Sequence, residues 1–207
     1  MIDFDNKVIF IHIPRCAGTT IEKAFTGHDY WKINAPFKHA PASIYKSFYK
    51  EEWDEYYKFS IVRNPFDRYR SMWKYSKEYC LRKNKRDEIE LDRYQKAFGH
   101  RIVLEQQLNL NGYGIHSQFI RKQKKFLNNQ VYGNYLNEQL DDIFLYENLS
   151  NCFDTLKQKF PNLNLNFEQL ESSPTKKPKL SLKAEKIIRR ICKKDFIEYG
   201  YSQEETS

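Results

Sequence analysis

The stretch "KVIFIHIPRCAGTT", Lys7 to Thr20, decides how the chain is read. Val8 to Ile13 is short, β-branched or aromatic, and apolar almost throughout, the pattern of a strand covered on both faces in a parallel sheet. It breaks at Pro14-Arg15-Cys16-Ala17-Gly18. From Thr19 the apolar residues Ile21, Ala24 and Phe25 recur at helical spacing with charges between them. Strand, loop and helix in that order open a βαβ unit.

A second unit follows at "KFSIVRNPFDRYRSMWKYS". Lys58 to Val62 reads as another buried strand, and Asn64-Pro65-Phe66-Asp67 supplies an N-cap, a proline at the first helical position and an acid in the first turn. Between the units, "HAPASIYKSFYKEEWDEYY" looks helical and aromatic. Further on, "DDIFLYENL" reads as a sheet strand ending at Glu147, followed by a helix through Phe153, Leu156 and Phe160. "ESSPTKKPKL" reads as a loop, after which Ser181 caps a terminal helix with Leu182, Ile187, Ile188, Ile191 and Phe196 on one side. Asp87 to Asn129 is polar and helix-prone, with an apolar face around Ile102, Val103 and Leu108.

Two hundred and seven residues suffice for one compact domain with a substantial core, and 40% hydrophobic with 16% aromatic residues is a globular composition. The expectation is a single domain over 1–207. The net charge of +8 is spread along the chain and points to anionic ligands: nucleic acid, phosphate cofactors or acidic glycans. Cys16, Cys80, Cys152 and Cys192 form no CxxC pair, which argues against a zinc site or a disulfide framework. The acidic start "MIDFDNK" and the short apolar run behind it fit neither a signal peptide nor a membrane span, so the expected compartment is cytoplasmic.

The first loop stands where a parallel sheet presents its strand C-termini, the usual ligand side of α/β folds. Backbone N–H groups from Ala17 to Thr20 at a helix N-terminus can hold an anionic oxygen; Gly18 permits close approach, Arg15 adds charge, and Thr19 or Thr20 adds a hydroxyl. A nucleotide-binding GxxxxGK[ST] loop is absent, for there is one glycine and no lysine before the hydroxyl pair.

"FIHIPRCAGTT" resembles the phosphosulfate-binding segment of the sulfotransferases that use 3′-phosphoadenosine-5′-phosphosulfate (PAPS), particularly the carbohydrate group, whose loop commonly reads "HIPKTAGT". "IVRNPFDRYRSMW" resembles that group's 3′-phosphate segment, with arginine opening the loop and serine eight residues later. "DIFLYENL" and "DFIEYGY" continue the likeness more weakly. The resemblance implies a three-layer, P-loop-like α/β fold with a mostly parallel central sheet flanked by helices. It implies PAPS as sulfuryl donor, no metal, and a carbohydrate or other hydroxyl-bearing acceptor, met by a helical region between about Tyr75 and Asn134.

In that reading Arg15, Cys16, Ala17, Gly18, Thr19 and Thr20 line the 5′-phosphosulfate site, while Arg63 and Ser71 hold the 3′-phosphate. A guanidinium can grip phosphate bidentately, and a 3′-phosphate requires such a site where ATP does not. His39, in "FKHAPAS", occupies a position resembling that of the family's catalytic histidine and is the expected general base. His116, Gln118 and Glu147 are weaker acceptor-side candidates, and His12, inside the first strand, reads as a core histidine. Arg15 and Cys16 stand where the family's loop commonly has lysine and threonine. Arginine keeps the charge that steadies a leaving phosphate but presents a different geometry and no ready proton, so Arg15 is a second expected catalytic residue. Cys16 at a helix N-terminus carries a minor alternative as a reactive thiol. Two other functions fit the bulk properties: an atypical ATP-dependent kinase using the first loop, and a non-catalytic nucleic-acid binder using basic stretches such as "RKQKKF". No recognised nucleic-acid-binding motif is present, so nucleic acid is not the expected partner.

Overall fold

The computed structural model describes residues 1–72, 114–115, 131–163 and 179–204. The chain divides into two compact units, Met1–Asn64 with Tyr132–Pro174, and Pro65–Val131 with Thr175–Ser207. The fold is mixed α/β, with a four-stranded sheet flanked by helices.

In the first unit, β1 (Ile2–Asp3) runs antiparallel to β2 (Val8–Ile11), which pairs in parallel with β3 (Tyr57–Val62); β3 in turn pairs in parallel with β5 (Asp142–Leu145). The order β1-β2-β3-β5 puts the two expected strands side by side at the centre. All four residues of β2 are buried, as its unbroken apolar run requires. Phe10 lies opposite Phe59 in register with ring centroids 4.9 Å apart, and Phe144 continues the aromatic row 6.0 Å from Phe59. Ser60, buried in β3, donates its hydroxyl to the Ile11 carbonyl at 2.7 Å.

Parallel strands need a long crossover, and residues 12–56 provide it. They hold α1 (Gly18–Thr26), α2 (Trp31–Asn34), a 3-10 turn (Ala35–Phe37), α3 (Ala42–Phe48) and α4 (Lys50–Glu55). Gly27 ends α1 in the left-handed conformation, φ 73°, which returns its N–H to the Lys23 carbonyl at 2.9 Å. After β5 the chain makes a 3-10 turn, Tyr146–Asn148, and enters α6 (Leu149–Lys159), which buries Cys152, Phe153 and Leu156. The expected third strand therefore stops at Leu145, and Glu147 lies on the turn beyond it, where an aromatic-acid-amide run caps the sheet rather than extending it.

In the second unit residues 65–72 form helix α5, as the Asn-Pro-x-Asp start predicts. Phe66, Tyr69 and Met72, three apart on one face, form an apolar cluster with Leu180, Ala184, Ile188, Cys192 and Phe196. Ser181 does cap α7 (Leu182–Ile191), its hydroxyl accepting the Ala184 N–H at 3.2 Å. The terminal helix is two helices, however: the chain breaks at Cys192 and resumes as α8 (Lys193–Glu198), so Phe196 reaches the cluster from a second axis. Leu182, assigned to the buried side, is 77% exposed because it occupies the first helical turn. Lys179–Leu180, read as loop, form β6 and pair in parallel with β4 (Gly114–Ile115). The face around Ile102, Val103 and Leu108 lies outside the described residues. No helix among them is long and apolar enough to cross a membrane.

Candidate active site

The loop after β2 is shaped by its backbone. Arg15 has φ 70° and Ala17 φ 60°, both left-handed, and Cys16 stands between them. A short run of left-handed turns at a helix start gathers successive N–H groups into a concavity that suits an anion. The Thr20 and Ile21 amides close onto the Ala17 carbonyl at 3.0 and 3.3 Å. Among the described residues, the amides of Ala17, Gly18 and Thr19 have no backbone acceptor. Thr19 and Thr20 are half-buried at the head of α1, whereas Cys16 is only 1% exposed, with its Sγ 3.8 Å from the Pro14 carbonyl. That burial takes the thiol away from a reactive role at the surface of the loop.

Gly18 serves a neighbour other than the one its sequence suggests. The left-handed position is Ala17, and a Cβ on Gly18 would stand 2.0 Å from Cδ2 and 2.1 Å from Nε2 of His12. The missing side chain makes room for the His12 ring, which packs directly beneath the loop.

The second loop brings Arg63 to the first. Its Nη1 donates to the Arg15 carbonyl at 3.4 Å, and its guanidinium lies over the Tyr146 ring, 4.0 Å from the centroid. Among the described residues its Nε is buried and has no hydrogen-bond partner. A buried, oriented donor left open in this way suits an anionic oxygen. Tyr132 fixes the backbone here: its hydroxyl accepts the Arg63 N–H at 3.1 Å and donates to the Arg63 carbonyl. Glu147 accepts the Asn64 N–H at 2.8 Å, a loop-holding role. Ser71 is half-buried on helix 65–72, where Asp67 is held by Arg70 at 2.8 Å and Arg68 is buried.

His39 stands on the same side of the first unit. Its Nδ1 is 3.1 Å from the His12 carbonyl, and the two imidazoles meet edge to face with centroids 4.4 Å apart. A carbonyl only accepts, so Nδ1 carries the proton and the lone pair is on Nε2, the form of a general base. Burial, then the neighbouring His12, holds the His39 imidazole well below its ordinary range, and burial does the same for His12. Both rings are neutral at pH 7. Trp31 adds an edge-on ring 5.7 Å from His39.

The structure thus gathers Arg15, Cys16, Ala17, Gly18, Thr19, Thr20, Arg63, His39 and Glu147 in one unit and places Ser71 in the other, while His116 and Gln118 lie outside the described residues. Sequence reading missed Glu22, Lys38, Tyr132 and Tyr146. Glu22 did leave a signal: a carboxylate next to Ile21, on the inward face of α1, interrupts an apolar stripe. The tyrosines left none, since each acts on Arg63 from across a long span of chain.

A strand-end concavity, an open guanidinium beside it and a neutral histidine nearby are what transfer of an anionic group asks for. No curated protein and no solved structure matches the chain. A family model described as the Sulfotransferase family matches residues 1–206, the whole length over which these parts are spread, and the chain belongs to the sulfotransferase family.

Proposed function

We propose that the protein moves the sulfuryl group of PAPS to a hydroxyl of a carbohydrate acceptor, within one P-loop-like domain spanning 1–207. The observation that carries the donor is Arg63. Its buried Nε is without a partner among the described residues, and its Nη1 touches the backbone of the very loop whose amides stand open. Two anion grips in contact fit a ligand with phosphate at both ends of a ribose, which a single phosphate loop does not require.

In this assignment the amides from Ala17 to Thr19, the hydroxyls of Thr19 and Thr20, and Arg15 hold the 5′-phosphosulfate; Arg63 holds the 3′-phosphate. The sequence motif alone assigns Ser71 to that phosphate. PAPS supplies a sulfuryl group made reactive by its anhydride link to phosphate. His39 Nε2 takes the acceptor's hydroxyl proton as that oxygen bonds to sulfur and the bond from sulfur to the phosphate oxygen breaks. The loop amides and Arg15 steady the negative charge left on the departing phosphate. His39 is suited to the first task by its neutrality and its fixed tautomer.

Trp31 supports a carbohydrate acceptor. It is 37% exposed beside His39 and offers an aromatic face on which a sugar ring can stack. The net charge of +8 also favours an acidic glycan over a neutral one. Calorimetry with the desulfated product, 3′-phosphoadenosine-5′-phosphate (PAP), tests the donor site. PAP should bind at least about 100-fold more tightly than AMP, the difference of two charge-assisted hydrogen bonds. No PAP binding at millimolar concentration, or AMP binding equally well, defeats the assignment.

A further inference from the structure

His39 is tied to the phosphate loop through one buried carboxylate. Glu22, one turn into α1, is fully buried. Its Oε1 lies 2.5 Å from His12 Nδ1, and its Oε2 accepts from Lys38 Nζ at 2.8 Å and from the Tyr30 N–H at 3.2 Å. Lys38 is itself 2% exposed and also bonds Asp29. Three separated pieces of chain therefore converge on Glu22: the end of β2, the approach to α2 and the turn that leads to His39.

Both side-chain partners of Glu22 bear on His39. Lys38 is its neighbour in sequence. His12 supplies the carbonyl that holds His39 Nδ1 and the ring against which His39 packs. The same His12 ring fills the space beneath Gly18, at the head of the helix that carries Glu22. Loop and base thus rest on one support.

Stability does not account for this arrangement. Taking a carboxylate, an ammonium and an imidazole out of water costs about as much as their attraction returns, and apolar side chains of similar volume hold helices together at least as well. Apolar contacts lack direction, however. A carboxylate with one oxygen on His12 and the other on Lys38 fixes two bond vectors at once.

We propose that Glu22 is a positioning residue for His39: by gripping His12 with one oxygen and Lys38 with the other, it seats the His39 ring on the His12 carbonyl and holds its Nε2 at a set place relative to the phosphate loop. Glu22 touches no substrate in this role. The inference rests on His39 being the base. The groups facing His39 are His12 from the end of β2, Lys38 from its own segment and Glu22 from α1; Trp31 faces it with an uncharged ring.

Histidine nitrogen NMR on the full chain saturated with PAP tests this, because it distinguishes protonated from bare ring nitrogens. His39→Asn identifies the His39 signals. The wild-type protein should show His39 with Nδ1 protonated and Nε2 bare. In Glu22→Gln the carboxamide can accept at only one end, so the signature should collapse to an exchanging mixture of tautomers. A stabilising filler would not govern a tautomer. Glu22→Asp, which keeps the charge but is too short to span both partners, should behave alike and serves should the glutamine variant not fold. A wild-type signature retained in either folded variant overturns the role of Glu22, as does a wild-type His39 protonated on Nε2. Failure of PAP to bind the wild-type protein is a separate result and overturns the functional reading instead.

Discussion

After β2 the chain turns through Pro14–Ala17 into α1, and after β3 it turns through Arg63 and Asn64 into helix 65–72. Both are strand-end loops leading into helices, yet they are built from different material. The first is made of backbone: left-handed residues at 15 and 17, open amides from Ala17 to Thr19, and an imidazole under Gly18. The second is made of one side chain, a guanidinium stacked on Tyr146 with its backbone pinned by Tyr132. A grip made of amides tolerates change in the side chains along it, whereas a grip made of a guanidinium does not. In the proposed assignment this is how arginine and cysteine stand at 15 and 16, where the loop of the carbohydrate group that the sequence resembles commonly has lysine and threonine.

Arg63→Ala should do the most damage, because it removes the one side chain of which the second grip is made. Each hydrogen bond to a charged group contributes about 1.5–3 kcal/mol, so loss of the fork should weaken PAP by about 100-fold or more while leaving AMP nearly unaffected. Arg63→Lys should recover little of it. Lysine has no planar face for Tyr146 and no fork for phosphate. Calorimetry of the two ligands on each variant checks both points; a loss of PAP affinity below about tenfold in Arg63→Ala would move the 3′-phosphate elsewhere.

Gly18→Ala is the corresponding injury to the backbone grip. The added methyl meets the His12 ring, and that ring cannot swing away because Glu22 holds its Nδ1 and Phe10 and His39 pack against it. Overpacking of this kind costs about 1–3 kcal/mol, to be seen as a lower denaturation midpoint together with weakened binding of both PAP and AMP. The two ligands should suffer equally, unlike in Arg63→Ala. Unchanged stability would mean that the ring is less firmly held than its contacts indicate.

What could be read in the sequence follows the same division. The strand read over Val8 to Ile13, which the fold ends at Ile11, the strand at Lys58 to Val62, the Asn64-Pro65-Asp67 start and the Ser181 cap are legible because local chemistry decides them: apolar runs, a fixed proline φ, a hydroxyl over an orphan amide. The open amides at Ala17 to Thr19 follow from the helix start. By contrast, nothing beside Lys38 in the chain discloses its partner Glu22, sixteen residues earlier. Tyr132 reaches Arg63 from sixty-nine residues away, and β6 is two residues long, too short to show a period, with its partner at Gly114–Ile115. Long-range pairing and buried charge are properties of the closed fold rather than of any window of sequence.

Arg15→Ala should have the smallest effect on binding, and it separates the two kinds of grip most cleanly. Alanine is no worse than arginine at φ 70°, so the backbone path is kept, and with it the amides of Ala17 to Thr19 and the Arg15 carbonyl that receives Arg63 Nη1. What leaves is a half-buried charge. Screened by solvent, such a charge contributes about 0.5–1 kcal/mol, or a few-fold in PAP affinity. Turnover should fall further than affinity, because the charge Arg15 steadies grows only as the phosphate departs. The ratio of the two losses, from PAP calorimetry and from the rate of PAPS consumption, is the measure. If Arg15→Ala costs PAP as much as Arg63→Ala does, the first loop also holds its ligand by a side chain, and the contrast between the loops is lost.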